Sequence, residues 1–460
     1  MSSVATPGRK DERPARFHRP LNDVVGLLLL LLLGAALGFQ LGRNPISPMY
    51  VAAGCIGIVA VLALAIFRYD AAVALGILLL PVVRAEPAPV DAVLAIVIAV
   101  AAVTNRLELR RVPLSMLALC SLFIALNLLS SMEALESNVA ARYLAVTLYC
   151  IAIGFWICGY VDSEKRARLV IKAYIASAVL ISVASSLALF VSFPNSDLLL
   201  TEDLERARGL FKDPNVYGPY LIPAALIFAQ ESLRPRLLKL NRPTQIFCFV
   251  ALAAGILFSY SRGAWLNLVI GVLVMTLVIA LRRGGSRRAF MMLVVILFGM
   301  AGIFWAVSST GSLGFLEERA RFQSYDNERF GAQALGLRLA EENPIGIGPG
   351  QFELVAPLSA HSTYVRAVAE EGVLGAAALL GVMLGTLLLA ARNAALGRDT
   401  FGIGSGPLLA AWCGMLVNSF VIDTLHWRHL WLLAGLIWAG TAAEGVRSQL
   451  SSRVGRAAVR

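Results

Sequence analysis

Long apolar runs recur along the whole chain and constrain its fold more than any other feature. The 460 residues are 58% hydrophobic and only 15% charged, which excludes an ordinary soluble globular protein. About 20 apolar residues in a helix cross roughly 30 Å of hydrocarbon. Such runs predict spans at 24–42, 46–67, 70–83, 90–103, 113–131, 140–160, 167–193, 214–230, 244–260, 263–281, 289–307, 372–391, 405–423 and 428–443.

The fold class that follows is an all-α polytopic membrane protein. The pair 70–83 and 90–103 is short and interrupted by prolines, so it is either a re-entrant hairpin or two tilted helices. We therefore expect about 12–14 transmembrane helices.

Charge is distributed unequally between the two sides of this arrangement. With the N-terminus inside, most of the 40 Lys and Arg residues fall in inner loops and most acidic residues fall in outer ones. The positive-inside rule then predicts that both termini are cytoplasmic. The net charge of +11 indicates membrane topology and contact with anionic lipid, and not binding to nucleic acid.

The predicted topology divides the chain into six segments. They are a basic tail (1–23), N-terminal transmembrane helices (24–193), a central transmembrane region with arginine-containing outer turns (194–307), a large outer loop with short helices (308–371), C-terminal transmembrane helices (372–443) and a second basic tail (444–460).

Arginines on the outer side are exceptions to the positive-inside rule and therefore candidates for function. Arg208 precedes the turn Asp213-Pro214-Asn215, which gives the backbone a fixed path. Arg262 lies in the short turn SYSRGAW, where a guanidinium at the membrane boundary favours a bidentate phosphate partner. An interfacial anchor is the alternative for Arg262. Arg366, in the large loop, is a candidate on the same ground.

The large outer loop combines a predicted helix with a glycine-rich turn. Residues 327–343 predict an amphipathic helix that lies on the membrane surface and carries Arg329 near its N-terminus. Gly348 and Gly350 in IGIGPGQF do not have the spacing of a dinucleotide site. These glycines instead allow a tight turn or a close approach of the backbone to a glycan.

His361 is the candidate base of the loop. It is expected in the first turn of a helix that begins near Ser359, where its imidazole can accept a proton from a sugar hydroxyl. A helix cap or an interfacial contact is the alternative. His426 and His429 have a spacing that could bind a metal, but no set of further ligands completes a site, so we predict none.

Four segments together resemble the O-antigen ligase and O-antigen polymerase family of bacterial inner membranes. They are RARGLFKDPNVYG, SYSRGAW, NPIGIGPGQF and HSTYVRAVAEEGVLG, within about residues 200–390. The family's loop motif is His followed by Asn, Ser or Gln, then nine residues, then GxxGxxL. Here His361-Ser362 is followed after nine residues by Gly372 and Gly375, with Ala378 at the position of the leucine.

The resemblance implies a GT-C-like membrane fold and a glycosyltransferase that needs neither metal nor cofactor. The implied donor is a glycan linked to undecaprenyl diphosphate, and the acceptor is lipid A-core, a polysaccharide or a protein. His361 would activate the acceptor hydroxyl at the periplasmic face of the inner membrane. Arg208 and Arg262 would bind the diphosphate, with Arg329 as a further candidate. Supporting candidates are Arg206, Asp213, Asn215, Ser362, Gly348 and Gly350.

Two alternatives stay open. The motifs do not separate a ligase from a polymerase, because both use the same donor chemistry and differ in the acceptor. A transporter or flippase is the alternative of another class, but transporters usually place ionisable residues or broken helices near mid-membrane. The predicted span interiors contain Asn127, Asn267 and Asn418 and almost no charges.

Overall fold

The computed structural model describes residues 48–84, 88–281 and 324–442, with six isolated positions between 287 and 302. The predicted span 24–42, most of the span 289–307, the first part of the large outer loop and both basic tails lie outside the described residues. The part of the chain that the structure describes contains no β-strand.

Fourteen α-helices account for most of the described residues. They are α1 Pro48–Phe67, α2 Tyr69–Leu78, α3 Pro89–Val103, α4 Leu114–Ser130, α5 Ser137–Tyr160, α6 Glu164–Ala188, α7 Pro214–Leu233, α8 Arg242–Phe258, α9 Arg262–Ala280, α10 Ser324–Glu342, α11 Phe352–Val355, α12 Thr363–Ala395, α13 Ser405–Asn418 and α14 at 428–442.

Five of these helices are long and apolar enough to cross a membrane, namely α4 with the turn that follows it, α5, α6, α9 and α12. The prediction of an all-α polytopic membrane protein is therefore confirmed. The helix α2 ends at Leu78, earlier than the predicted 83, because the residue before Pro81 avoids the helical region. Its ten residues are about 15 Å long, which favours the hairpin interpretation of this pair.

The helix α9 has apolar side chains both on its buried side and on its exposed side. Its buried side includes Ala264, Asn267 and Met275 and packs against α13. Its other side carries a stripe of apolar side chains at intervals of three or four residues, each between 44% and 59% exposed: Leu266, Val269, Leu273 and Leu277. An exposed apolar stripe of this kind suits contact with lipid and not with water.

The turns predicted to lie on one side of the membrane contact one another at one end of the bundle. The loop 189–213 bonds to the turn 259–261, and the turn 419–427 bonds to the start of α12. At the opposite end, Arg111, which follows α3, donates to the carbonyl of Val161, which follows α5. Hydropathy predicts that successive loops lie on alternating sides of the membrane, and these contacts agree with that prediction.

The helix α12 is two helical segments joined at a kink. Gly372 has φ 72°, a left-handed value that breaks the helical path at the predicted boundary of the loop and the span. The glycine-rich turn fills the break, because Ile347 N–H donates to the Ala369 carbonyl at 2.9 Å and Gly348 N–H to the Glu370 carbonyl at 3.0 Å. The backbone groups that the kink frees are thus bonded by the turn.

Candidate functional site

His361 lies immediately before α12 and not in its first turn. The expected helix start near Ser359 is wrong, because Ser362 is the residue that caps the helix. Its side chain accepts a hydrogen bond from Val365 N–H at 3.4 Å. His361 itself has a left-handed backbone, with φ 45°, and its carbonyl accepts a bond from the Gln333 side chain at 3.4 Å.

The His361 imidazole is half-buried and surrounded by charged groups. Burial lowers its pKa below the ordinary value of a histidine, and the nearby positive charge of Arg329 lowers this pKa further. Arg366 acts in the same direction, whereas Asp213 and Glu353 oppose it. The imidazole is therefore neutral at neutral pH, which is the state that accepts a proton.

Arg206 fastens the loop 189–213 to the neighbouring turn. Its Nε donates to the Ser259 carbonyl at 3.0 Å, and its Nη2 reaches the Tyr260 carbonyl and Asn215 Oδ1. Asp213 caps α7 by accepting from Asn215 N–H at 2.8 Å. Three of the supporting candidates, Arg206, Asp213 and Asn215, thus hold the shape of the loop.

Arg208 projects from the same loop and is half-buried. Within the described residues its Nε is buried and makes no hydrogen bond. Burial lowers the pKa of its guanidinium, and the charge of Arg84 lowers it further, against the opposing charges of carboxylates that include Asp213. Asp213 acts on the His361 pKa as well, so this carboxylate lies near both side chains.

Arg262 is the first residue of α9. Ser261 caps this helix by accepting from Ala264 N–H at 3.3 Å, after Tyr260 turns the chain with φ 46°. The next residue, Gly263, lies against α13, since a Cβ there would be 2.8 Å from Asn418 Oδ1.

A short path of contacts connects Arg262 with His361. Asn418, beside Gly263, is followed by Ser419, whose carbonyl accepts a bond from Thr363 N–H at 2.9 Å. Thr363 is two residues from His361. The carboxamide of Asn418 is buried, and neither of its polar atoms is bonded in the described part of the chain.

Arg329 lies on α10, which packs against α12. The predicted helix is present, but it begins at Ser324 and not at 327, and it ends at Glu342 before Asn343-Pro344. Phe330 and Leu337 are more than half exposed on this helix. Their exposure is consistent with the expected position on a membrane surface.

Gly348 and Gly350 form a tight turn against the helices. Both have left-handed φ values, and Gly350 N–H donates to Glu370 Oε2 at 2.8 Å. A Cβ on Gly348 would lie 2.8 Å from Ala134, and one on Gly350 would lie 3.0 Å from Tyr143. The contacts of these glycines are explained by the tight turn and do not require a close approach of the backbone to a glycan.

Arg366 is buried within α12 and surrounded by carboxylates. It pairs with Glu353, with Asp423 at 3.0 Å and with Glu370 at 3.4 Å. Its exposed fraction is 6%. Arg366 therefore stabilises the large loop and is not available to a substrate.

The two histidines predicted in the last outer turn lie in separate surroundings, with His426 half-buried in the turn and His429 buried in α14. His426 bonds to Thr147 Oγ1 at 2.9 Å, and burial lowers its pKa to about 4. His429 packs against Tyr220 and Trp427. Among the described residues, no group of three or more His, Cys, Asp and Glu could hold a metal ion.

The three outer elements, namely the loop 189–213, the turn 259–261 and the segment before α12, thus meet at one end of the bundle. Residues 247–380 match the family model described as O-antigen ligase. These residues form an O-antigen ligase family domain. The resemblance of the sequence motifs to this family is confirmed. No curated protein sequence matches the chain.

The O-antigen ligase family domain includes Arg262, Arg329 and His361, whereas Arg208 and Arg84 lie N-terminal to it. The match supports a membrane glycosyltransferase of the ligase or polymerase type. Arg84 has no motif that marked it in the sequence. Its only signal was its place on the outer side, where the positive-inside rule disfavours it.

Proposed function

We propose that the protein transfers a glycan from undecaprenyl diphosphate to an acceptor hydroxyl at the periplasmic face of the bacterial inner membrane, with both termini cytoplasmic. The observation that carries this proposal is that the half-buried imidazole of His361 lies near the charge of Arg329, at the end of the bundle where the arginine-containing outer turns meet. A base of this kind among outward arginines suits a reaction that removes one proton and releases one anion.

The proposed reaction uses His361 as the general base. The imidazole takes the proton of the acceptor hydroxyl as its oxygen attacks the anomeric carbon of the lipid-linked sugar. The bond from that carbon to the diphosphate oxygen breaks, and the electron pair leaves with the diphosphate. Arg208 and Arg262, with Arg329, stabilise the negative charge that develops there. The energy stored in the sugar–diphosphate bond drives transfer without a nucleotide or metal.

Replacement of His361 by Ala tests the proposed base. We expect the His361→Ala protein to reach the membrane normally and to lose glycan transfer, measured with undecaprenyl-diphosphate-linked glycan in reconstituted vesicles. His18→Ala, in the basic tail, is the matched control and should transfer normally. An unchanged surface glycan in the His361→Ala strain would contradict the role of His361 as the general base.

We favour ligase activity for the protein, with polymerase activity as the alternative. A deletion strain separates them by its products. Loss of long chains from lipid A-core, with polymer accumulating on its lipid carrier, indicates a ligase. A product with a single repeat unit indicates a polymerase. Flux of glycolipid through proteoliposomes without any transfer would instead indicate a flippase.

A further inference from the structure

We propose that Arg84 and Arg208 form a two-arginine clamp that binds one phosphate group of the donor's diphosphate. The clamp rests on the proposed function, because it takes the diphosphate from that reaction. It adds a binding residue from the segment that precedes α3, far outside the ligase family domain at 247–380.

Two consecutive carbonyl groups hold the two arginines on one loop. Arg84 Nη1 donates to the Leu198 carbonyl at 2.6 Å, and Arg208 N–H donates to the Leu199 carbonyl at 2.9 Å. A further bond, from Val83 N–H to the carbonyl of Leu210 at 3.1 Å, fastens the chain before Arg84 to the other end of the loop. The Arg84 guanidinium and the Arg208 backbone are therefore fixed on the same short piece of structure, and the charge of Arg84 acts on the Arg208 guanidinium.

The clamp carries two positive charges, and no carboxylate forms a salt bridge with either in the described part of the chain, although the charges of Glu202, Asp203 and Asp213 act on Arg208. Neither Arg84 nor Arg208 takes part in a salt bridge there, and Arg208 Nε is buried without a hydrogen-bond partner. Like charges held near each other are unfavourable, and so is a buried donor without an acceptor. An anion between the two side chains relieves both conditions.

A phosphate group fits these requirements better than a carboxylate. Its several oxygens can accept bonds from two planar guanidinium groups at once. Asp213, which lies near both Arg208 and His361, places the clamp beside the proposed base. The bound phosphate would therefore belong to the leaving group of the same reaction.

Equilibrium binding of undecaprenyl diphosphate to the full-length protein tests the clamp. The protein is reconstituted in nanodiscs of phosphatidylcholine, which carries no net charge. Arg84→Gln keeps a donor for the Leu198 carbonyl and removes the charge, and we expect it to weaken binding about tenfold. Arg84→Lys should weaken binding less. Arg110→Gln, at the opposite end of the bundle, is the matched control and should bind normally.

A double-mutant cycle tests whether the two arginines share one phosphate. If they do, Arg84→Gln and Arg208→Gln together weaken binding by less than the product of their separate effects. Purely multiplicative effects would show that the two side chains act independently and would overturn the clamp. Undiminished binding by Arg84→Gln would overturn it as well.

The source of the phosphate is tested by competition. Inorganic pyrophosphate should displace undecaprenyl diphosphate from the wild type more effectively than from Arg84→Gln. Loss of affinity for phosphatidylglycerol alone, with donor binding intact, would assign Arg84 to a lipid headgroup and overturn the proposal. His361→Ala should bind the donor normally, so a failure of the proposed base leaves the binding result intact.

Discussion

At the scale of single residues, the state of His361 depends on its neighbours. Burial and the charge of Arg329 lower the pKa of its imidazole, while Asp213 and Glu353 oppose this change. A lower pKa keeps the base unprotonated to a lower pH. Arg329 thus has two effects in the proposed reaction, since it would bind the diphosphate and also keep the base neutral.

Arg329→Gln should move the acid limb of the pH profile of kcat/KM to higher pH. Removal of the positive charge lets the pKa of His361 rise towards its ordinary value, so protonation of the base begins earlier as pH falls. Arg338→Gln, an exposed residue on the same helix, is the control and should leave the limb in place. An acid limb at its original position in Arg329→Gln would contradict the influence of Arg329 on His361.

Two adjacent buried carboxylates should respond differently to the same substitution. Glu370 accepts bonds from the N–H groups of Gly350 and Phe352 and pairs with Arg366. Glu371 is also buried, but neither of its carboxylate oxygens is bonded in the described part of the chain. Glu370→Gln should therefore destabilise by about 1–3 kcal/mol. Glu371→Gln should be neutral or stabilising, because it removes a carboxylate without a partner.

Thermal unfolding of the purified variants in one detergent measures this difference. The Tm of Glu370→Gln should fall below that of the wild type, and the Tm of Glu371→Gln should not. Equal losses in both variants would show that Glu371 has a stabilising partner of its own.

At the scale of elements, the kink in α12 and the glycine-rich turn form one structure. Gly346 has φ 96°, and a Cβ there would lie 2.2 Å from the Glu370 carbonyl oxygen. A Cβ on Gly372 would lie 2.4 Å from the Ile345 carbonyl carbon. Neither position has room for a side chain, so both glycines are required for the turn to close the kink.

Gly346→Ala and Gly372→Ala should each lower the Tm and the rate of glycan transfer. Gly397→Ala is the matched control, because Gly397 has φ 63° but nothing within 4 Å of an added Cβ. The control isolates the strain of a left-handed alanine, about 1–2 kcal/mol, from the clash with the backbone. Losses in Gly346→Ala no larger than those in Gly397→Ala would count against the close contact.

Local signals in the sequence predicted some of these elements and not others. The apolar run of 263–281 predicted α9, and the Asp213-Pro214 pair begins α7 as such a pair should. The family resemblance alone separated Arg208, as a candidate ligand, from Arg206, and no local pattern showed that Arg206 fastens the loop. The bond from Arg84 to Leu198 joins residues 114 positions apart. No local pattern predicts a contact of that separation.

At the scale of the whole molecule, the charged ends of the bundle define its two sides. The outer turns meet at one end, and the inner loops, including the Arg236 and Asp399 ion pair, meet at the other. The orientation in the membrane rests on the positive-inside rule.

Cysteine labelling tests this orientation. In a background with Cys55→Ala, Glu202→Cys should react with a membrane-impermeant maleimide applied from the periplasmic side. Arg110→Cys, exposed at the opposite end, should react only after the membrane is permeabilised. The reverse pattern would place the proposed site in the cytoplasm and exclude a periplasmic reaction.

The contacts that hold the start of α12 have a consequence for biosynthesis. Thr363 N–H bonds to the Ser419 carbonyl, and Thr424 N–H bonds to Thr363 Oγ1 at 2.8 Å. Both partners are translated well after His361, and N-terminal segments fold first during synthesis. The nascent chain therefore carries its arginines to the membrane before the histidine has its final support. An enzyme of this design would gain activity only when the last helices have been inserted.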